Sequence, residues 1–521
     1  MKPINYLSEI SNTLPRLLAL IDRDETSDSY GMGDRYHWAW GLIDFGNGSY
    51  QGAANGITRL WKAGLWPYQT DKDIFLKRVD SLFIGAGKLT RKDGSLEEAF
   101  PYEGSYCVTS LVAFDLLCAV EHLRDEVDAD LINKWASIIS PMIDFLIASD
   151  ETHALISNHL ATAVAALVRW NKLNPSEIVV TKAKALLDRI LQNQDQEEGW
   201  FKEYEGADPG YQSLCTYYLA DIYQNDNSFE LLEPLRKSIK FLCHFAHPDG
   251  SFGGLYGSRC TRFYFPAGVE ALRNEIPEAA ALADFMYESI EKQTVCTLNV
   301  MDESNLIPMF NCYCWAAAVR MENPAASSSD LLLPFNSFFG HKYFERAGLF
   351  LDCGVSHYTI INFYKGGTVY HFKNKQLVLV NGGVLVQNNK GKLGSSQLFS
   401  KKAKIDFNET DKLIVQSAVS PMPKKLPSVF EFILLRVMCI SVFKISYLRE
   451  LVKKVLVYIL ITRKKEWPVT NKRSFILGPD LSFNDSISVQ NKYRTLSSPN
   501  YFVAIHMASQ GYWQKQDEII A

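Results

Sequence analysis

Four short segments recur along the first 300 residues and constrain the fold more than any other feature of the chain. They are Phe45-Gly46-Asn47-Gly48-Ser49-Tyr50, Asp93-Gly94-Ser95-Leu96, Glu198-Gly199-Trp200-Phe201 and Asp249-Gly250-Ser251-Phe252, each followed by an apolar stretch. Their marker glycines, at 48, 94, 199 and 250, stand 46, 105 and 51 residues apart, so one copy is missing near position 150. Ser157-Asn158-His159 holds that slot, and a further period reaches Met301-Asp302-Glu303. A period of about 50 residues marks a repeat architecture.

Each repeat is helical by its pattern. Leu160, Ala163, Val164, Leu167 and Val168 keep the one-face spacing of an α-helix, and Val108–Val120, Ser213–Tyr223, Ala267–Leu272 and Asn311–Met321 read likewise. Two helices and two loops fit one period, so six helical hairpins are expected. Loops rich in Tyr, Trp, Glu, Asp and Arg favour closure into an (α/α)6 toroid, with those loops gathered at one mouth as a cleft, over an open solenoid.

The period changes after Asn323-Pro324-Ala325-Ala326-Ser327-Ser328-Ser329-Asp330, whose composition is that of a linker. Thr368–Phe372 and Gln376–Val380 read as strands, and Asn381-Gly382-Gly383 leading into Val384–Gln387 reads as a hairpin turn. Phe430–Phe443, Val455–Thr462, Ser474–Leu477 and Tyr501–Met507 are expected to continue the pattern. The expected organisation is therefore a toroid over 1–335, carrying the chemistry, and an antiparallel β-sandwich over 336–521, as 521 residues exceed what one core serves.

Composition narrows the classes. At 47% hydrophobic and 21% charged residues, the chain is an ordinary globular one. The start, Met1-Lys2-Pro3-Ile4-Asn5-Tyr6, lacks a leader pattern, and Val429–Tyr447 is interrupted by Glu431, Arg436 and Lys444, so a cytoplasmic protein with reduced cysteines is expected. No metal site is expected of Cys243, His244 and His247, which read as helical core. Residues 424–473 carry twelve Lys and Arg against three acids, +9 where the whole chain is −4. Such a patch suits a polyanion or an acidic membrane surface; nucleic acid is not expected, for want of a binding motif.

The loops supply the candidate chemistry. Ser157 is expected to cap a helix, placing Asn158 and His159 in a first turn where free N–H groups favour an anion. Glu203, Asp208 and Tyr211 share a Pro-Gly loop ahead of the next helix, suited to acid and base work. Arg259 and Arg262, followed by Tyr264, can clamp a carboxylate or sulfate, and Glu103 and Tyr106 occupy the equivalent loop of an earlier copy. Two opposed carboxylates drawn from Glu98, Glu103, Glu205, Asp208 and Asp302 would instead suit an inverting glycosidase, and a polysaccharide-binding or assembly protein without activity is the third reading.

Ser157-Asn158-His159-Leu160, Glu198-Gly199 with Glu203 and Tyr211, and Ala347-Gly348-Leu349 with Lys365-Gly366-Gly367 together resemble the heparinase II/III group of polysaccharide lyases. The resemblance implies β-elimination on a uronate-containing polysaccharide: Asn158 neutralises the carboxylate, aided by Arg259 or Arg262, His159 or Tyr211 takes the proton, and Tyr211 returns one to the leaving oxygen. It implies no cofactor. The histidine which that family takes from its sandwich has no matching segment here, where His341, His357 and His371 are the nearby histidines.

Overall fold

The structure, a computed structural model, describes residues 5–39, 43–151, 156–322, 331–408, 411–423, 426–457, 466–505 and 510–513. Its helices are α1 (Asn5–Ala19), α2 (Arg35–Trp38), α3 (Ala53–Lys62), α4 (Lys72–Leu89), α5 (Tyr106–Leu123), α6 (Ala129–Ala148), α7 (Ser157–Leu173), α8 (Glu177–Gln192), α9 (Pro209–Asn225), α10 (Leu232–Cys243), α11 (Ala267–Ala271), α12 (Pro277–Glu291), α13 (Glu303–Glu322), α14 (Pro334–Ser337), α15 (Val429–Ile440) and α16 (Ser446–Val457). Helices α3, α5, α7, α9, α11 and α13 each pack on the next, and α13 packs back on α3, closing an inner ring. Helices α4, α6, α8, α10 and α12 back their inner partners, and α1 closes the outer layer against α13 and α12. The fold is an (α/α)6 toroid.

Inner helices are apolar all round because they meet neighbours on every side. In α5, sixteen of eighteen residues are buried, whereas outer α6 buries only Trp135, Ile139, Met142, Ile143 and Leu146. Both are long and apolar enough to cross a membrane, but α5 is a core helix of the ring.

The recurring glycines acquire a physical reason. Gly94, Gly199 and Gly250 all adopt φ between +82° and +88°. A Cβ on Gly94 would stand 1.9 Å from the Pro141 carbonyl oxygen, and one on Gly199 would stand 2.4 Å from that of Lys237. Each glycine thus presses its loop onto an outer helix in a conformation that L side chains resist. Asp93 and Asp249 complete their turns by accepting from the backbone N–H of Ser95 and Ser251. Gly48 differs, opening a short 3₁₀ turn.

The C-terminal strands are β1 (Gly340–Phe344), β2 (Leu349–Gly354), β3 (His357–Asn362), β4 (Thr368–Lys373), β5 (Gln376–Asn381), β6 (Leu385–Asn388), β7 (Leu393–Ser395), β8 (Lys404–Asn408), β9 (Lys412–Ala418), β10 (Ser420–Pro421), β11 (Thr470–Ile476), β12 (Ser482–Ser488) and β13 (Tyr493–Leu496). All pair antiparallel, in the orders β1-β2-β3-β4-β5, β12-β11-β9-β8 and β10-β7-β6-β13. The five-stranded sheet is covered on both faces. Phe350, Ile361 and Val369 join Leu413, Val415 and Phe475 of the second sheet, while Leu351, Ile360, Tyr370 and Phe372 belong to the toroid core. Alternation along each strand sends successive side chains to the two cores.

Toroid and β-domain are fastened at the mouth. The Glu198 carboxylate accepts from the N–H groups of Arg346 and Ala347, at 2.8 and 3.0 Å, so two of the family-like segments meet directly. The Tyr358 hydroxyl donates to the His244 carbonyl, and the buried Lys365 ammonium donates to the carbonyls of Leu255 and Gly257. Helices run to Glu322 and strands begin at Gly340; the expected linker 323–330 lies outside the described residues.

Three local expectations fail. Residues 429–440 and 446–457 are helices α15 and α16, not strands; the Ser428 hydroxyl and the Glu431 carboxylate form a reciprocal capping box that starts α15. Residues 458–462 lie outside the described residues. Asn381-Gly382-Gly383 is no hairpin turn, because β5 and β6 belong to different sheets. Gly382 instead donates to the Asn500 carbonyl, and its own carbonyl is held by the Gln397 amide, which steers the chain across. Residues 501–505 contain no strand, and 506 and 507 are not described.

Candidate functional site

The loops before α5, α7, α9 and α11 meet at the mouth. Ser157 is the first residue of α7, not its cap: Ile156 holds the cap position, and the Ser157 hydroxyl donates to the Lys202 carbonyl at 2.7 Å. This contact, with the bridge between Ile156 and Glu203, ties the start of α7 to the loop before α9. Asn158 consequently reaches Glu203, giving its backbone N–H to Oε1 at 3.0 Å and its Nδ2 to Oε2 at 2.9 Å. Its amide is therefore engaged in a buried pair, not held free as the sequence suggested. Burial pushes Glu203 up to about 8, against the two bonds from Asn158, so the carboxyl is mostly neutral at neutral pH.

Beside that pair lie Tyr204, Tyr211 and Arg259. The Arg259 guanidinium stacks over the Tyr204 ring, 3.9 Å from its centre. Burial raises Tyr204 to about 12, and it raises Tyr211 well above the ordinary tyrosine value; Arg259 pulls both the other way. Tyr211 is half-buried, and Glu203 and Asp208 are fully enclosed. Asp208 caps α9 through the Tyr211 N–H and also accepts from the Arg259 N–H at 2.8 Å, so one carboxylate sets the positions of both loops. Tyr204 and Cys260 hold φ of +60° and +58°, strained values for residues with a Cβ. Together these loops and the β-domain enclose a cleft of about 470 Å3, counting its open solvent mouth, lined by Tyr204, Glu205, Arg259, Lys365, Gln397 and Phe399.

His159 lies one residue beyond Asn158, partly exposed, with Nδ1 3.0 Å from the Glu151 carboxylate. Tyr106 is buried; its hydroxyl has no hydrogen-bond partner among the described residues, and the charges of Asp150 and Glu151 help to raise it after burial itself. Glu103 accepts from the Ala99 N–H at 2.7 Å. The remaining candidates face elsewhere. Arg262 lies within electrostatic reach of Cys296, Tyr370, Tyr501 and Tyr512. Tyr264 is enclosed in the core against Phe252. His247 bonds Ser251 and Tyr256, whereas the His244 ring packs on Phe344, so the two histidines serve different contacts. Among the described residues no group of three or more His, Cys, Asp or Glu could hold a metal.

Sequence reasoning left out Tyr204, Glu151 and the contributions of the β-domain. Tyr204 stood inside a segment already singled out, but its stacking depends on Arg259, 55 residues away. Nothing local marks Gln397 or Phe399, which reach the cleft only because the β-domain docks there.

An (α/α)6 toroid with an antiparallel β-domain closing over its mouth is thus the class of protein that fold and site define. No protein-family model matches the chain, and no curated protein matches it either. Among solved structures it is similar to the chondroitin AC lyase of Streptomyces coelicolor A3, at 10% identity over 81% of this chain and 67% of that one, with a TM-score of 0.46. It is also similar to heparinase III, at 12% identity over 80% of this chain and 75% of that one (TM-score 0.41). The cellobiose 2-epimerase of Bacillus thermoamylovorans B4167 matches over 60% of this chain and 99% of its own, at 10% identity and a TM-score of 0.44.

Proposed function

We propose that the chain cleaves an acidic, uronate-containing polysaccharide by β-elimination. The carrying observation is that Asn158, Glu203, Tyr204, Tyr211 and Arg259 meet on adjoining loops at the toroid mouth, with His159 and Glu151 beside them. A uronate carboxylate must be neutralised before the proton on its α-carbon becomes acidic enough to remove. Arg259 supplies the positive charge, and a neutral Glu203 keeps its own charge from repelling that group. His159, oriented by Glu151, takes the proton; the electrons form the ring double bond and expel the glycosidic oxygen. Tyr211, kept protonated by burial, returns a proton to that oxygen.

The acids weigh against the paired-carboxylate alternative. Of the five acids Glu205 alone lines the cleft among the described residues, whereas Glu98 accepts from the Ser105 hydroxyl, Glu103 from Ala99, Asp208 caps α9 and Asp302 accepts from Asn305. The test is incubation with a panel of uronate polysaccharides, following the ultraviolet absorbance of the unsaturated product. Tyr211→Phe is expected to abolish that signal while the melting temperature holds. New reducing ends without ultraviolet absorbance would instead establish hydrolysis and overturn the elimination reading.

A further inference from the structure

Helices α15 and α16 interrupt the β-domain between β10 and β11, and their surface does not suit water. Seven of the twelve residues of α15 are large exposed hydrophobics: Val429, Phe430, Phe432, Ile433, Leu434, Val437 and Ile440. Phe430 is 82% exposed. At 100° per residue these positions sweep roughly 200° of the helix, against the narrower stripe that a helix offers to a protein groove. In α16, Tyr447, Leu451 and Val455 repeat the theme at i, i+4 and i+8, all exposed.

The hairpin is rooted, not loose. Phe443 packs on Phe100 at 5.3 Å, the Arg449 guanidinium lies 3.8 Å from Asp93 while donating to the Phe443 carbonyl, and Arg436 pairs with Asp44 at 3.3 Å. Its roots are therefore the first two loops of the toroid mouth, and α15 stands beside that mouth. Exposed apolar groups held at a fixed position on a folded body call for a cover.

We propose that α15 and α16 seat the protein on an anionic lipid bilayer. Length excludes a span: twelve residues rise about 18 Å, against about 30 Å of hydrocarbon. A helix of this size lies in the interface, burying its apolar arc among acyl chains while flanking cations meet headgroups. The charge fits that occupant. Exposed Lys444 and Lys454 flank the apolar positions, and residues 424–473 keep an excess of cations even after Arg436, Arg449 and Arg473 are matched to Asp44, Asp93 and Asp485 outside the segment, the balance falling from +9 to +6. This contact is independent of any activity in the cleft.

The test is flotation of the full chain with vesicles of phosphatidylcholine alone or mixed with phosphatidylserine. Binding is expected to be about tenfold or more stronger with the anionic lipid and to weaken with salt. Replacing Phe430, Ile433 and Ile440 together by Asp should abolish flotation with no change in melting temperature, since all three point to solvent. Lys444→Glu with Lys454→Glu should remove the preference for anionic lipid. No flotation of the unaltered chain, or equal flotation of the triple variant, overturns the proposal. So does retention on a sulfated polysaccharide resin without vesicle binding, which assigns the patch to a polyanion. Conversion of an oligomer to a monomer by the triple variant, again without vesicle binding, assigns it to a second copy.

Discussion

Replacing Glu203 by Gln should change how stability depends on pH, and the size of the change follows from burial. Glu203 is fully enclosed, and its pKa stands at about 8 where an ordinary glutamate has 4.5. Between those values the folded chain holds a proton that the unfolded chain has released. Stability must then fall as pH rises, by about 1.4 kcal/mol per unit, with no loss below 4.5 and no further loss above 8. From pH 5 to pH 7.5 the loss amounts to about 3 kcal/mol. For a toroid of roughly 320 residues, 1 kcal/mol shifts the melting temperature by about 1.5 °C, so the expected effect is about 4 °C. Gln carries no titrating proton and keeps the shape. The assay compares melting temperatures of the unaltered chain and Glu203→Gln across that range. Their difference should move by about 4 °C against the unaltered chain as pH rises. A difference that stays flat, or moves the other way, refutes the claim that burial keeps this carboxyl neutral, and with it the account of how the cleft tolerates an anion.

Other outcomes follow from single contacts. Arg169 is buried and holds Asp221 through two hydrogen bonds, Nε to Oδ2 at 3.0 Å and a second from Nη2, so Asp221→Ala should cost about 1.5 to 3 kcal/mol in denaturant unfolding, because the guanidinium keeps only its partly exposed partner Glu121. Lys365→Met should cost about 3 kcal/mol, because the Leu255 and Gly257 carbonyls lose their donor, and should loosen the Arg259 loop to proteolysis. Arg259→Lys should lower turnover of any uronate substrate more than it lowers stability, since a lysine cannot stack flat on Tyr204. Equal losses in both would make Arg259 structural.

What the sequence determined by itself is whatever is encoded locally. Gly94, Gly199 and Gly250 recur because one turn conformation, φ near +85°, is needed each time a loop meets an outer helix, and that requirement is written at one position. The helical period and the strands β4 and β5 were legible for the same reason: side-chain spacing follows backbone geometry. Residues 429–440 show the limit of such reading. Their β-branched and aromatic run resembles a strand, and the local signal that decided otherwise, Ser428 with Glu431, was present in the sequence but outweighed in the reading by hydrophobicity.

Tertiary structure alone decided the rest. Closure of the outer layer brings α1 against α13, nearly 300 residues later, and no periodicity specifies that a ring closes on its own first helix. The site has the same character. Asn158 is occupied because Glu203, 45 residues on, is delivered beside it, and Arg259 finds Tyr204 because Asp208 accepts from both loops. Glu203 is neutral because neighbouring elements exclude water from it, and desolvation belongs to the packed molecule, not to any segment of the chain.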